Sequence, residues 1–231
     1  PENLLGFLAE MEFRTLTKRV SDQFKVAAPA IAQTVQPKDG KDEISKIQDF
    51  TSKTYARVSD MAELEAWVTQ IYERGTVAVD TETTGLNDMR ADLVGISLCV
   101  EAGNESYIPL THKDAGSDDL FGSDTLAEGQ LDLDAVLTVL KPLLEDPAVL
   151  KIGQNMKYDA KILARHDITI APIDDTMLLS YALHAGLHNH GMDALSERYL
   201  NHTSIPIKPL LGSGKSAITF DRVPIDDAVP Y

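Results

Sequence analysis

Cysteine is nearly missing from this sequence: Cys99 is the single one in 231 residues. No intrachain disulfide can form, which excludes a disulfide scaffold and points to a reducing compartment. Long apolar runs are missing too. No stretch reaches the ~18 residues that a membrane-spanning helix needs. The opening PENLLGFLAE lacks the basic start and extended apolar core of a signal peptide, so no membrane partner is expected. Basic residues are in short supply, with 21 Lys and Arg against 36 Asp and Glu, a net charge of −15. Domains that hold nucleic acid usually present a basic face. The total therefore speaks against such a partner, while leaving open where the acids sit. What is present is ordinary for a soluble globular protein, 43% hydrophobic and 25% charged, which excludes global disorder and a collagen-like chain. The length suggests between one and two domains.

The charge is unevenly spread. Residues 1–57 carry a net +1 and residues 58–231 a net −16. Within the latter, Glu101 to Asp146 holds 2 basic and 11 acidic residues, whereas Lys151 to Arg222 holds 8 and 7. The acidic stretch reads as a solvated face. Residues 1–25 read as helix, with Leu4, Leu5, Leu8, Met11, Leu16 and Val20 at helical spacing. Residues 26–54, rich in Ala, Gln, Pro, Lys and Asp, have the composition of a flexible linker. A second unit, 55–231, opens with a short strand YARV and a helix capped by Ser59 and closed by Gly75. Strands follow at TVAVD, LVGISLCV and SYIPL, in meander order. Next come a helix LDAVLTVLKPLLED with Pro142 as a kink, a strand VLKIGQ, and a helix NMKYDAKILARHD with Asn155 at its N-cap. Helices at DTMLLSYALHAG and MDALSERYLN and a last one opened by Pro224 complete it. The sequence has no internal repeat. The pattern predicts an α/β domain, a mixed β-sheet flanked by helices and preceded by a short helical and linker segment.

Three features carry chemistry. Asp80 and Glu82 stand at i and i+2 at the end of the strand VAVDTETTGL, so both side chains share one face. Carboxylates that close repel and raise a pKa unless a cation intervenes. Oxygen-only ligands suit Mg²⁺ or Mn²⁺, while a solvated strand end is the plain alternative. In GQNMKYDAKIL, Asn155 and Asp159 are i, i+4 on the expected helix and share a face beside Tyr158. Tyr231 sits on the expected last helix. Three other motifs carry less. GSGKS (Gly212–Ser216) lacks the upstream Gly of a P-loop, so Lys215 reads as a phosphate contact on a loop. His184, His188 and His190 cross a Gly-containing turn with no Cys in support of zinc. In Asp174-Asp175-Thr176, an Asp reads as a helix cap rather than a metal ligand.

Together, DTETTGL after a strand, N-x-x-x-D some way downstream and a late Tyr resemble the DEDDy pattern of 3′→5′ exonucleases. More narrowly, DTETTGL, LVGISL, YIPL, KPLLED, IGQNMKYD, DTMLLSYAL, MDALSERYL and GSGK with ITF resemble the proofreading domain of bacterial DNA polymerases of the polymerase I family, over Tyr55 to Tyr231. LLGFLAEMEFRTLTKRV resembles the helical tail of the 5′-nuclease domain that precedes it in that family. The resemblance implies a ribonuclease H-like fold and two divalent metal ions, Mg²⁺ or Mn²⁺, with Zn²⁺ a substitute in crystals. It implies hydrolysis of the 3′-terminal DNA phosphodiester to a deoxynucleoside monophosphate, within a cytoplasmic, nucleoid-associated parent whose polymerase domain works in replication and repair. The partners implied are a single-stranded or frayed 3′ end and that polymerase domain.

By the same matching, Asp80 bridges both metals, Glu82 binds one and orients the attacking water, Asp159 holds the other, and Tyr231 hydrogen-bonds the water. Leu86 wedges against the terminal bases, and Gln154, Asn155 and Tyr158 contact the terminal nucleotide. Two departures stand out. Ile207 occupies a position usually aromatic in the family. The acidic ligand expected four residues after the Tyr is not among residues 1–231, which implies that this stretch alone is catalytically incomplete. The alternatives are a vestigial exonuclease fold serving as a structural module of the polymerase, against which the retained acids count, and a free-standing ribonuclease D-like enzyme.

Overall fold

Alternation of Val77, Val79 and Thr81 with Ala78, Asp80 and Glu82 drives one strand to bury one face and offer the other to the site. Six strands build the sheet: β1 (Ala56–Arg57), β2 (Thr76–Thr83), β3 (Leu93–Glu101), β4 (Asn104–Pro109), β5 (Leu150–Gly153) and β6 (Ile173–Asp175), in the order β1-β4-β3-β2-β5-β6. β2, β3 and β4 form an antiparallel meander, while β1 pairs parallel with β4, β5 with β2 and β6 with β5. The sheet is mixed, as the sequence suggests; the short edge strand β6 is an addition to that reading. The protein is described by a computed structural model covering residues 1–11, 13–27, 55–114 and 125–231, apart from the side chain of Lys215. Among these residues no helix is long and apolar enough to cross a membrane.

The chain divides into two units, Pro1–Lys46 and Ile47–Tyr231. In the first, the described residues form two helices, α1 (Glu2–Glu10) and α2 (Arg14–Phe24), rather than one. No Gly or Pro marks the break; the Phe13 N–H turns back to the Leu8 carbonyl at 2.9 Å. From residue 28 to 54, the stretch read as linker lies outside the described residues.

In the second unit, α3 (Met61–Arg74) and α4 (Leu133–Glu145) bury Leu64, Trp67, Ile71, Val136, Leu140, Leu143 and Leu144 against Val77, Val79, Ile96, Leu98 and Ile108 of the sheet. Full burial of each such side chain contributes roughly 1.5–3 kcal/mol. α4 continues through Pro142. The cap of α3 is Asp60, one residue after the Ser59 that the sequence suggests. Asp60 accepts the Glu63 N–H at 2.8 Å, and the Glu63 carboxylate accepts the Ser59 N–H and hydroxyl, a reciprocal box. Gly75 closes α3 in the left-handed region, as expected.

α5 (Lys157–Ala164) follows β5, α6 (Thr176–His184) follows β6, and α7 (Met192–Leu195) runs into a wider turn over Ser196–Leu200 instead of the regular helix read there. α8 (Lys208–Leu211) and α9 (Ile225–Ala228) are single turns. A smaller apolar cluster, Val94, Tyr107, Phe220, Val223 and Ala228, holds this C-terminal stretch together.

A carboxylate cluster at the end of the second strand

Asp80, Glu82 and Asp159 meet where β2 leaves the sheet. Asp80 pairs with Ser97 and Glu82 with Gly95 across β3, so both side chains project from the face opposite Val77 and Val79. Asp159 arrives on the first turn of α5 and is 3% exposed. The Thr81 N–H and hydroxyl both donate to its Oδ1, at 3.0 and 2.6 Å. Burial pushes Asp80 up to about 7, helped by the charge of Asp159. Burial, then Asp80 and Asp159, push Glu82 up to about 8. Burial also raises Asp159, against the pull of the two Thr81 hydrogen bonds. Among the described residues no Lys or Arg forms an ion pair with any of the three.

Three desolvated carboxylates with no cationic side chain among them have the chemistry that could serve a hard divalent cation. Among the described residues no group of three His, Cys, Asp or Glu side chains is already drawn together tightly enough to hold a metal ion. The chemistry of the three acids fits a cation that would draw them in.

Tyr231 stands at the same place. It is 39% exposed, and burial, then Glu82 and Asp80, push its phenol up to about 12. Its ring packs on Phe220, with centroids 5.8 Å apart. Tyr158, beside Asp159 on α5, hydrogen-bonds the Thr83 hydroxyl and the Gly85 carbonyl in the loop that leaves β2. Leu86 in that loop is 98% exposed.

Gln154 lies between β5 and α5, donating to the His190 carbonyl at 2.8 Å and accepting from the Thr176 hydroxyl. Asn155 is not the cap of α5. It sits before the helix in the left-handed region (φ 61°), and Met156 takes the cap position. Asn155 and Asp159 therefore do not share a helix face. The side chain of Lys215 lies outside the described residues. Ile207 precedes α8, half-exposed.

Sequence reasoning misses several supporting residues. Asp175 caps α6 as expected, through Met177 and Leu178, but its carboxylate also accepts the N–H groups of Asn155 and Met156 at 3.0 Å each. It thereby fixes the turn that carries Gln154 and Asn155. Tyr107, two strands over on β4, is raised by burial and by Glu82. Its Oη lies 2.7 Å from Nε2 of the buried His112. His184, His188 and His190 do cluster, with ring centroids 5.5 and 4.8 Å apart.

Residues 55–231 match the family model described as 3′-5′ exonuclease, that of family A DNA polymerases. DNA polymerase I of Rhizobium leguminosarum is 36% identical over the whole of this chain, which covers 29% of that protein. DNA polymerase I of Pseudomonas aeruginosa is 41% identical over 77% of this chain, covering 19% of that protein. The chain thus spans less than a third of the length of either relative. The solved catalytic core of RRP6 from Trypanosoma brucei superposes with a TM-score of 0.52 at 14% identity, covering 70% of this chain and 38% of that one, a likeness of fold. That fold is the ribonuclease H-like mixed sheet the resemblance implies. With its site built at the end of the sheet's central strand, the chain belongs, over residues 55–231, to the 3′-5′ exonuclease family of family A DNA polymerases.

Proposed function

We propose that this chain carries a metal-dependent 3′→5′ exonuclease site acting on a single-stranded or frayed DNA end, and that its parent is a DNA polymerase I in which the site proofreads. The observation that carries the reading is the coupled trio Asp80, Glu82 and Asp159 with Tyr231 beside it. Asp80 would serve both of two Mg²⁺ or Mn²⁺ ions, Glu82 one and Asp159 the other. When bound, such ions neutralise the charge on the attacking and leaving oxygens of an in-line displacement. Glu82 and the Tyr231 hydroxyl orient the attacking water, and no histidine base is needed, because the reaction demands positioning and charge neutralisation. Without metal, burial and the nearby Glu82 and Asp80 keep the Tyr231 phenol protonated.

Around the reacting phosphate, the exposed Leu86 wedges against the terminal bases. Gln154, Asn155 and Tyr158 hold the last nucleotide, and Lys215 meets a phosphate. Such contacts read stacking and backbone rather than sequence. The net charge of −15 is compatible with this, since part of it is the metal site itself. The three acids are part of the four-carboxylate set the resemblance implies.

The test measures Mn²⁺ binding by calorimetry, and in parallel the stepwise shortening of a 5′-labelled single strand from its 3′ end. Binding that is lost in Asp80→Ala, with any cleavage lost too, supports the reading. A wild-type chain that takes up no Mn²⁺ overturns it and leaves the fold as a structural module.

A further inference from the structure

We propose that His112 is a positioning residue that sets where Tyr231 stands relative to Glu82, through a buried link from β4 to the segment that leads into α9. The inference rests on the role given to Tyr231 above. His112 is fully buried, at 0% exposure. Its Nδ1 lies 2.9 Å from the Val223 carbonyl. A carbonyl only accepts, so Nδ1 carries the proton, Nε2 is left as acceptor, and the Tyr107 hydroxyl at 2.7 Å donates to it. One neutral imidazole thus joins a strand of the sheet to a backbone group 111 residues later.

Each end of the link reaches the site. Tyr107 covers Gly95, where a Cβ would come within 2.1 Å of the phenol oxygen. Gly95 is the residue paired with Glu82. At the other end, Val223 directly precedes Pro224, the N-cap of α9, and Tyr231 follows three residues after that single turn. A second contact runs in parallel, with ring centroids of His112 and Phe220 5.9 Å apart and those of Phe220 and Tyr231 5.8 Å apart. Lys113 fastens the same segment, its N–H on the Asp221 carbonyl at 2.6 Å and its Nζ 3.1 Å from the buried Asp221 carboxylate.

A four-residue helix cannot hold its own conformation, so what α9 carries is placed by what it packs on. Orienting a water demands placement within a fraction of an ångström. An apolar ring could fill the His112 site, but only a ring with a donor on one side and an acceptor on the other ties Tyr107 to Val223.

The experiment uses the 231-residue chain with 3-fluorotyrosine incorporated, the Tyr231 fluorine signal being assigned with Tyr231→Phe. His112→Phe keeps the ring on Phe220 and removes both hydrogen bonds. Tyr107→Phe removes one and leaves the ring at position 107, in the cluster with Phe220, in place. The expected result, without metal, is a Tyr231 signal moved toward free fluorotyrosine in His112→Phe and part of the way in Tyr107→Phe. With Mn²⁺, the broadening of that signal should be several-fold weaker in His112→Phe than in wild type. A folded His112→Phe with its Tyr231 signal at the wild-type position overturns the proposal. Should that variant not fold, Tyr107→Phe decides alone: a displaced signal supports the link and an unmoved one overturns it. If Mn²⁺ broadens nothing in wild type, the metal reading fails, while the metal-free shifts still decide the role of His112.

Discussion

Thr81 gives both its backbone N–H and its hydroxyl to a single oxygen of Asp159, at 3.0 and 2.6 Å, and so pins a carboxylate of α5 to the middle strand of the sheet. The pair is buried on both sides, at 6% and 3% exposure. Thr81→Val keeps the shape and the N–H but strands part of a buried acceptor. The expected cost is roughly 1–3 kcal/mol in urea unfolding, with a several-fold loss of Mn²⁺ affinity in the same protein. Thr81→Ser, which restores the hydroxyl, should recover most of both. Equal behaviour of Val and Ser variants would remove the hydroxyl from the account.

Asp175 serves two elements at once. Its Oδ1 accepts from Asn155, Met177 and Leu178 at 3.0, 2.9 and 3.2 Å, and its Oδ2 from Met156 at 3.0 Å. An ordinary cap contributes about 1 kcal/mol, and a carboxylate at 7% exposure satisfying four N–H groups should contribute more. Asp175→Ala is expected to lower stability by about 3 kcal/mol. It should also loosen the Gln154–Asn155 turn, seen as faster amide exchange at residues 154–156 than elsewhere on the sheet edge. A loss of about 1 kcal/mol with unchanged exchange there would confine Asp175 to α6.

How far the sequence reaches can be judged residue by residue. Asp80 and Glu82 are legible because a strand's period of two needs no partner to place two side chains on one face. The meander is legible because its strands follow one another directly. Asp175 is legible as the cap of its own helix, but not as the partner of Asn155, 20 residues earlier. Asn155 reads as a cap because asparagine favours caps, yet asparagine also tolerates the left-handed region, and there the competition goes to the turn. The break between α1 and α2 has no Gly or Pro to announce it. Tyr107, His112 and Val223 share no spacing rule at all, and only folding brings 112 to 223. The resemblance to a known family reaches the carboxylates and Tyr231, which are motif residues, and not the hydrogen bonds that hold them.

Leu86 is a large apolar side chain left 98% exposed in the loop after β2. It packs on nothing, so Leu86→Ala should change stability by no more than about 0.5 kcal/mol. If the side chain wedges against terminal bases, the same change should weaken binding of a single-stranded oligonucleotide. Fluorescence anisotropy in calcium, to prevent cleavage, reads this directly. An affinity unaltered by Ala would take Leu86 out of the DNA contact.

The raised carboxylates also make stability depend on pH with a defined sign. Asp80 moves from its ordinary 3.8 to about 7 and Glu82 from 4.5 to about 8. Between these limits the folded chain holds protons that the unfolded chain has released, so unfolding free energy falls as pH rises. The contribution of the two acids is fully present below about pH 4 and is lost as pH climbs through about 7 and 8. A divalent cation acts in the opposite direction, because it competes with those protons and gains most where they are gone. In chelator, melting temperature is therefore expected to drop between about pH 6 and 8, and Asp80→Asn to flatten that drop and to be the more stable protein at pH 8. With Mg²⁺ the wild-type loss should shrink, and the gain from metal should be larger at pH 8 than at pH 6. Metal-free stability that climbs steadily over the same interval, and does so equally in Asp80→Asn, would mean that burial does not raise the two acids in the folded protein.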